Sequence, residues 1–360
     1  MTRKEGDYSF ADRAVHRIAF ATLPAQVALA DMEDKLFAKE LEGVESGAPL
    51  FITALPRAGT TLLLELCAKL PEYCSHTYRD MPFLLCPMLW QRFSGRFQRA
   101  DAPRERAHGD GMMVSTDSAE AFEEVIWKFF WRQHYRDDRI IPWGELHDEE
   151  FREFLVSHLR KIIALRGPPA SVKARYVSKN NANIARLRGL AQLFPEAVFV
   201  VPFRDPLQHA ASLRRQHLRF LGVHAEDHFA RFYMSAIGHH DFGANLKPLD
   251  FDGWLKTRRS HDETTLDFWL EYWTACYRHV LPLSGGSVHL VSYDRLSVDP
   301  GPALESLARI VDASDPTLFS SQAERLAPAK PHEVDTVEID PEILAAALDL
   351  HDRLRDKAVI

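Results

Sequence analysis

The sequence predicts a three-layer α/β protein: a central parallel sheet flanked by helices, with a helical N-terminal segment and helical insertions. Three observations carry this. Short apolar runs rich in β-branched residues recur in "PLFITAL", "SVKARYVSK", "AVFVVPF" and "SVHLVSY". Between them, apolar residues return every three or four positions, the spacing of helices that pack by one face. Strands alternating with helices ask for parallel pairing through crossover connections, with both faces of the sheet covered. No internal repeat or low-complexity tract divides the 360 residues. A helical segment over 1–48 packed on a single α/β domain over 49–360 is therefore expected.

Taken in order, residues 8 to 42 mix apolar and charged positions at helical spacing and stop near Gly43 and Gly47. "PLFITAL" is a buried strand, followed by a helix with Leu62, Leu63, Leu66, Cys67 and Leu70 on one face. From Arg92 to Asp117, Gly, Pro and clustered charge mark a long surface loop, a common form of lid or binding segment. Helices are expected from Ser118 to Gln133 and from Asp148 to Leu165, before "RGPP". The second rhythm runs through strand "SVKARYVSK", helix "NIARLRGLAQLF", strand "AVFVVPF" and helix "DPLQHAASLRRQHLRFL". In that last helix Pro206 occupies the first turn, where proline is tolerated. A helical stretch near Ala225 to Ile237 and a looped region precede the amphipathic helix "TTLDFWLEYWTACYRHVL". Strand "SVHLVSY" and helices "GPALESLARIV" and "EILAAALDLHDRL" complete the chain.

Bulk properties narrow the function. Hydrophobic residues at 46% and charged residues at 26% suit a globular protein with a sizeable core. A net charge of -7 gives no general attraction to nucleic acid or anionic membranes, so any anion site must be built locally. No apolar run reaches the roughly 18 residues of a membrane span. The first twenty residues lack the long apolar core of a signal peptide. Cys67, Cys74, Cys86 and Cys276 have no metal-ligand spacing and read as buried free thiols. A cytoplasmic location fits these features.

The chemistry concentrates in "LPRAGTTLL". A strand feeding a Gly-containing turn into a helix aims unpaired backbone N–H groups, and the helix dipole, at one point. Gly59 permits close backbone approach, Thr60 and Thr61 add hydroxyls, and Arg57 adds a planar cation suited to phosphate oxygens. The Gly-Lys-Ser/Thr ending of a triphosphate-binding loop is absent. A second anion site is expected in "FRDPLQHAAS". There Arg204 ends a strand, and Ser212 lies about two helical turns further on. Ligands of open α/β sheets bind beyond the C-terminal ends of the strands, so both sites should share one rim. Such a pair suits a ligand with phosphates at both ends.

With these residues the chain resembles the sulfotransferases that use 3′-phosphoadenosine 5′-phosphosulfate. "LPRAGTTLL" resembles their 5′-phosphosulfate loop and "FRDPLQHAAS" their 3′-phosphate segment. "YVSKNNANIARLRGLAQLFPEAVFV" and "VHLVSYDRLSVDPGPALESLARIV" are similar to the stretches around them, so the resemblance runs from about Pro49 to Val311. The Pro-Arg opening of the loop is that of a broad bacterial group related to tyrosylprotein and carbohydrate sulfotransferases. The resemblance implies a P-loop-like fold. It assigns Arg57, Ala58, Gly59, Thr60 and Thr61 to the 5′-phosphosulfate, and Arg204 and Ser212 to the 3′-phosphate. It sets Tyr293 near the nucleotide and makes Lys330 a candidate for closing over the 3′-phosphate. Lys179 matches a lysine at the end of a family strand and would stabilise the leaving oxygen together with Arg57. No metal is implied.

The base that receives the acceptor's proton is not inherited. Cytosolic members carry a His two residues after the lysine, where this chain has Asn181. Tyrosylprotein enzymes carry a Glu where this chain has Thr77. Asp80, favoured over His76 because an apolar "MPFLL" would bury it, is expected to serve, with Glu123 and Glu124 as a third possibility. "IGHHDFG" lacks a metal-binding pattern and reads as a substrate loop or structural segment. The acceptor is expected to be a small molecule or glycan, first a carbohydrate or glycolipid hydroxyl. Peripheral contact with a lipid-linked acceptor is compatible with this. The loop Arg92–Asp117 and the region Phe220–Arg259 should shape its pocket. Trp90, Trp127, Trp131, Trp143 and Trp254 are possible sugar-stacking rings, although helical spacing also suits a core. Two other classes stay open: an ATP-dependent kinase, and a sulfotransferase-like binding protein without activity.

Overall fold

The structure, a computed structural model, describes residues 10–94, 104–105, 113–115, 118–120, 122–168, 173–326 and 331–360. Its strands in chain order are β1 (Leu50–Ile52), β2 (Tyr73–Cys74), β3 (Arg104–Glu105), β4 (Met113–Val114), β5 (Arg175–Lys179), β6 (Val198–Phe203) and β7 (Val288–Ser292). Strands β3 and β4 form a separate antiparallel pair. The other five make one parallel sheet in the order β2-β5-β1-β6-β7. Strand β1 lies at its centre, with Ile52 opposite Lys179 on one side and Val200 on the other.

Alternation along the strands builds the three layers. Leu50, Ile52, Val177, Val200 and Val291 share one core with Leu63, Leu64 and Leu66 of helix Thr60–Cys67 and Leu304 and Leu307 of helix Pro300–Ile310. Phe51, Tyr176, Phe199, Val201 and Leu290 belong to the opposite core. There Trp269, Trp273 and Tyr277 of helix Leu266–Val280 pack, together with Ile162 of helix Glu149–Arg166. Each such large apolar side chain stabilises the fold by roughly 1.5–3 kcal/mol when fully buried.

Helices Phe10–Ala21, Leu23–Leu36 and Ala38–Leu41 precede the sheet. Polar anchors tie them to the α/β body. Glu33 accepts a hydrogen bond from the Leu89 amide (2.6 Å), and Lys161 donates to the Ala30 carbonyl (2.6 Å). Phe37, Leu41 and Met88 add a small apolar cluster.

Two expectations need correction. The helix expected from Ser118 begins only at Glu124 and ends at Phe130. Its first residues are drawn into sheet-like pairing instead, with Ala119 bridging Thr77 and the Glu120 amide donating to the His76 carbonyl (3.0 Å). "NIARLRGLAQLF" opens as a 3-10 turn, Asn181–Arg186, before helix Leu187–Leu193. The four cysteines are buried and unpaired. Among the described residues no helix is long and apolar enough to cross a membrane.

Candidate active site

Beyond β1 the chain turns through Pro56, Arg57, Ala58 and Gly59 into helix Thr60–Cys67, which Gly59 caps. Two residues of the turn are left-handed, Arg57 at φ 72 and Gly59 at φ 92. For Gly59 this is free of penalty, and a Cβ there would stand 2.3 Å from the Tyr293 ring. For Arg57 the conformation costs on the order of 1–2 kcal/mol, so the surroundings must impose it. They do so through the carbonyls. Arg204 Nη1 donates to the Arg57 carbonyl (3.1 Å), and the His209 imidazole donates to that of Pro56 (2.8 Å). His209 is fully buried, and burial together with Arg204 pushes its pKa down to about 3, so it holds the loop as a neutral donor.

The segment at Arg204 and His209 therefore grips the turn at Arg57. Arg57 Nε also reaches Ser212 Oγ (3.5 Å) from the turn. Arg204 is not paired with its neighbour Asp205, whose carboxylate caps helix Pro206–Glu226 at the Gln208 amide (2.9 Å). Arg204 faces the Tyr293 ring (5.6 Å) and reaches the Asp294 carboxylate only at 4.0 Å. Its buried Nε has no hydrogen-bond partner.

A cavity of about 60 Å³ opens at the end of β1 and β5, with Arg57, Thr60, Thr61, Lys179, Asn181 and Asp241 in its wall. Asn181 is the joint of this wall. Its side-chain Oδ1 accepts from Thr60 Oγ1 (3.4 Å), and its side-chain Nδ2 donates to Asp241 Oδ2 (3.3 Å). Burial raises the Asp241 pKa above the usual carboxylate range; His239, Lys179 and the Asn181 bond oppose the shift, and Glu124 adds to it. Asp241 comes from the "IGHHDFG" loop, which turns at Gly238 (φ +87), where a Cβ would meet Glu124 Cγ at 2.3 Å. His239 and His240 line the same cavity. His240 is buried, its pKa is lowered to about 3 by burial and by Lys128, and its Nδ1 lies 3.3 Å from the Asn245 carbonyl.

The model of the sulfotransferase family matches residues 49–316, about three quarters of the chain. The chain belongs to the sulfotransferase family. It is thereby an enzyme of the sulfuryl-transferring class, and the strand-loop-helix at Arg57 and the parallel sheet give it the P-loop-like fold. Among solved structures, it is similar to sulfotransferase STF9 from Mycobacterium avium at 14% identity and a TM-score of 0.49, over 91% of this chain and 80% of that one. Sulfotransferase STF1 from Mycobacterium tuberculosis H37Rv is similar at 14% identity and a TM-score of 0.41, over 91% and 81%. A sulfotransferase from Alicyclobacillus acidocaldarius is similar at 11% identity and 0.38, over 86% and 95%. No curated protein matches the sequence.

Within this sulfotransferase, Arg57, Ala58, Gly59, Arg204, Ser212 and Tyr293 converge around one turn, while Thr60, Thr61 and Lys179 join Arg57 at the cavity. Lys330 lies outside the described residues, as does most of the loop Arg92–Asp117. Asp80 and His76 do not reach the cavity wall. Asp80 is buried as its sequence context suggested, but against His76 Nδ1 (3.0 Å) and Arg166. His76 packs edge-on to the Tyr176 ring, and its Nε2 lies 3.0 Å from His158 Nε2. The pair holds β2 and its following turn rather than facing the site.

Glu123 and Glu124, readable as a solvated helix face, are both buried. Glu123 accepts from Tyr176 (2.7 Å), Ser178 (2.8 Å) and Asn183 (2.8 Å) beneath β5. Glu124 edges the cavity but is bound by Asn180 (2.7 Å), Tyr135 and Arg186. The Arg186 guanidinium lies between the Trp127 and Trp143 rings at 4.1 and 4.5 Å. Trp127, Trp143 and Trp254 are therefore core residues.

Proposed function

We propose that this sulfotransferase takes its sulfuryl group from 3′-phosphoadenosine 5′-phosphosulfate and passes it to an acceptor hydroxyl, with carbohydrates or glycolipids as the first acceptor class. The observation that carries the donor reading is the interlock of the two anion segments. Arg204 fixes the Arg57 carbonyl, and Arg57 reaches Ser212, so one ligand with phosphates at both ends would bridge them. The residues fit such a donor. Arg204 offers a buried Nε that makes no hydrogen bond, and Gly59 lets the Tyr293 ring lie directly against the turn.

When bound, the donor supplies an activated sulfuryl group on a phosphate leaving group. Arg57, Thr60, Thr61 and the amides at the start of helix Thr60–Cys67 would hold its 5′ end. Arg204 and Ser212 would hold the 3′-phosphate, with Tyr293 beside the nucleotide. Lys330 remains the candidate to close over that phosphate. Lys179 and Arg57 bring cationic charge to where the leaving oxygen becomes negative, and a fixed charge in an enclosed site stabilises that state more than water does. The acceptor class rests on the family resemblance and on a small, polar-walled cavity. The four reduced thiols suit a cytoplasmic location.

The test is transfer of labelled sulfate from this donor into fractionated cell extract, with the product identified by mass. The expected result is a single labelled class of hydroxyl compound. No transfer of sulfate from this donor, with transfer of labelled phosphate from γ-labelled ATP by the purified protein instead, would overturn the reading.

A further inference from the structure

We propose that Asp241, presented by the loop from Gly238 to Asp241, takes the proton from the acceptor hydroxyl, and that Asn181 aligns it for this. The assignment rests on the donor reading above. Asp241 shares one cavity wall with Arg57, Thr60 and Lys179, the groups that the donor reading sets around the transferring sulfuryl group. Asn181 occupies the position two residues beyond the end lysine of β5. Its amide has no basic site, but it joins Thr60 on one side to Asp241 on the other. The base has thus moved off the strand end onto the loop that faces it.

The other groups around Asp241 are committed or unsuited. Glu124, from helix Glu124–Phe130, is held by Arg186, Asn180 and Tyr135. His240 is a weak base with its pKa near 3. Lys179 from β5 and Lys247 carry positive charge. His239, on the same loop, is the rival that the experiment must separate. Burial lifts the Asp241 pKa toward the working pH, which improves a carboxylate as a base.

In the step, the acceptor oxygen forms a bond to sulfur as its proton passes to the Asp241 carboxylate. The bond from sulfur to the 5′-phosphate oxygen breaks, and its electron pair leaves with adenosine 3′,5′-bisphosphate. Asp241 then returns the proton to solvent. Atoms, charge and electrons balance without a further reactant.

The experiment uses the whole protein, the labelled donor and the acceptor fraction recovered from the extract. Calorimetry with adenosine 3′,5′-bisphosphate comes first, because failure of the wild type to bind it would overturn the donor reading and this assignment with it. Asp241→Asn is expected to bind the bisphosphate within about threefold of wild type while kcat falls about 100-fold or more. The acidic limb of kcat/KM against pH, set above the ordinary carboxylate range in the wild type, should vanish in this variant and return in Asp241→Glu. Asn181→Ala removes a bond that favours the ionised carboxylate, so its acidic limb should move to higher pH, which a merely structural role would not produce. Near-normal turnover in Asp241→Asn, or loss of the limb in His239→Gln with its retention in Asp241→Asn, would overturn the proposal.

Discussion

Gly59 holds a left-handed backbone with an aromatic ring where its Cβ would be. Gly59→Ala must push Tyr293 aside and strain the turn, so adenosine 3′,5′-bisphosphate should bind at least about tenfold more weakly in calorimetry. Ser212→Ala removes one hydrogen bond to a charged group, of order 1.5–3 kcal/mol. It should weaken the 3′,5′-bisphosphate by about 10- to 100-fold and leave adenosine 5′-phosphate unchanged, which ties Ser212 to the 3′ end. Gly59 and Ser212 could be proposed from the sequence because each belongs to a short contiguous motif. Asp241 could not. It sits 60 residues from Asn181 in the chain, and only the fold brings the two together. Asp80 misled for the converse reason, since an apolar neighbourhood predicts burial but not which partners share it.

At the scale of elements, helix Glu124–Phe130 depends on a buried ion pair. Glu124 and Arg186 are both almost fully enclosed, and Trp127 and Trp143 flank the cation. Arg186→Met would leave the Glu124 charge uncompensated, and urea unfolding should show a loss of about 3–5 kcal/mol. Glu124→Gln in the same chain should recover part of it. Four of the five sheet strands were visible as apolar runs bounded by turn residues. Strand β2 was not, because two residues, Tyr73 and Cys74, carry no periodic pattern. The late start of helix Glu124–Phe130 was hidden too, since pairing of Ala119 with Thr77 is a long-range choice that local spacing does not encode.

Across the whole molecule, the N-terminal helices are coupled to the body through a titrating group. Burial raises Glu33 from about 4.5 to about 7, although Leu89 and Lys161 oppose the shift. A carboxyl that is raised in the folded state contributes stability below its unfolded pKa and loses it as pH climbs through the folded value. The wild type should therefore lose stability relative to Glu33→Gln between about pH 4.5 and 7, seen as a widening gap in Tm. Glutamine keeps the acceptor for the Leu89 amide, so the gap reports ionisation and not the lost hydrogen bond.

The segments at Arg57 and Arg204 meet at one turn, at the C-terminal edge of the sheet, and the proposed donor depends on that meeting. Calorimetric titration with adenosine 3′,5′-bisphosphate in the absence of magnesium tests it most directly. One saturable site per chain is predicted, weakened at least about tenfold in Arg204→Met. No binding, or tighter binding of magnesium-ATP with indifference to Arg204→Met, would contradict it.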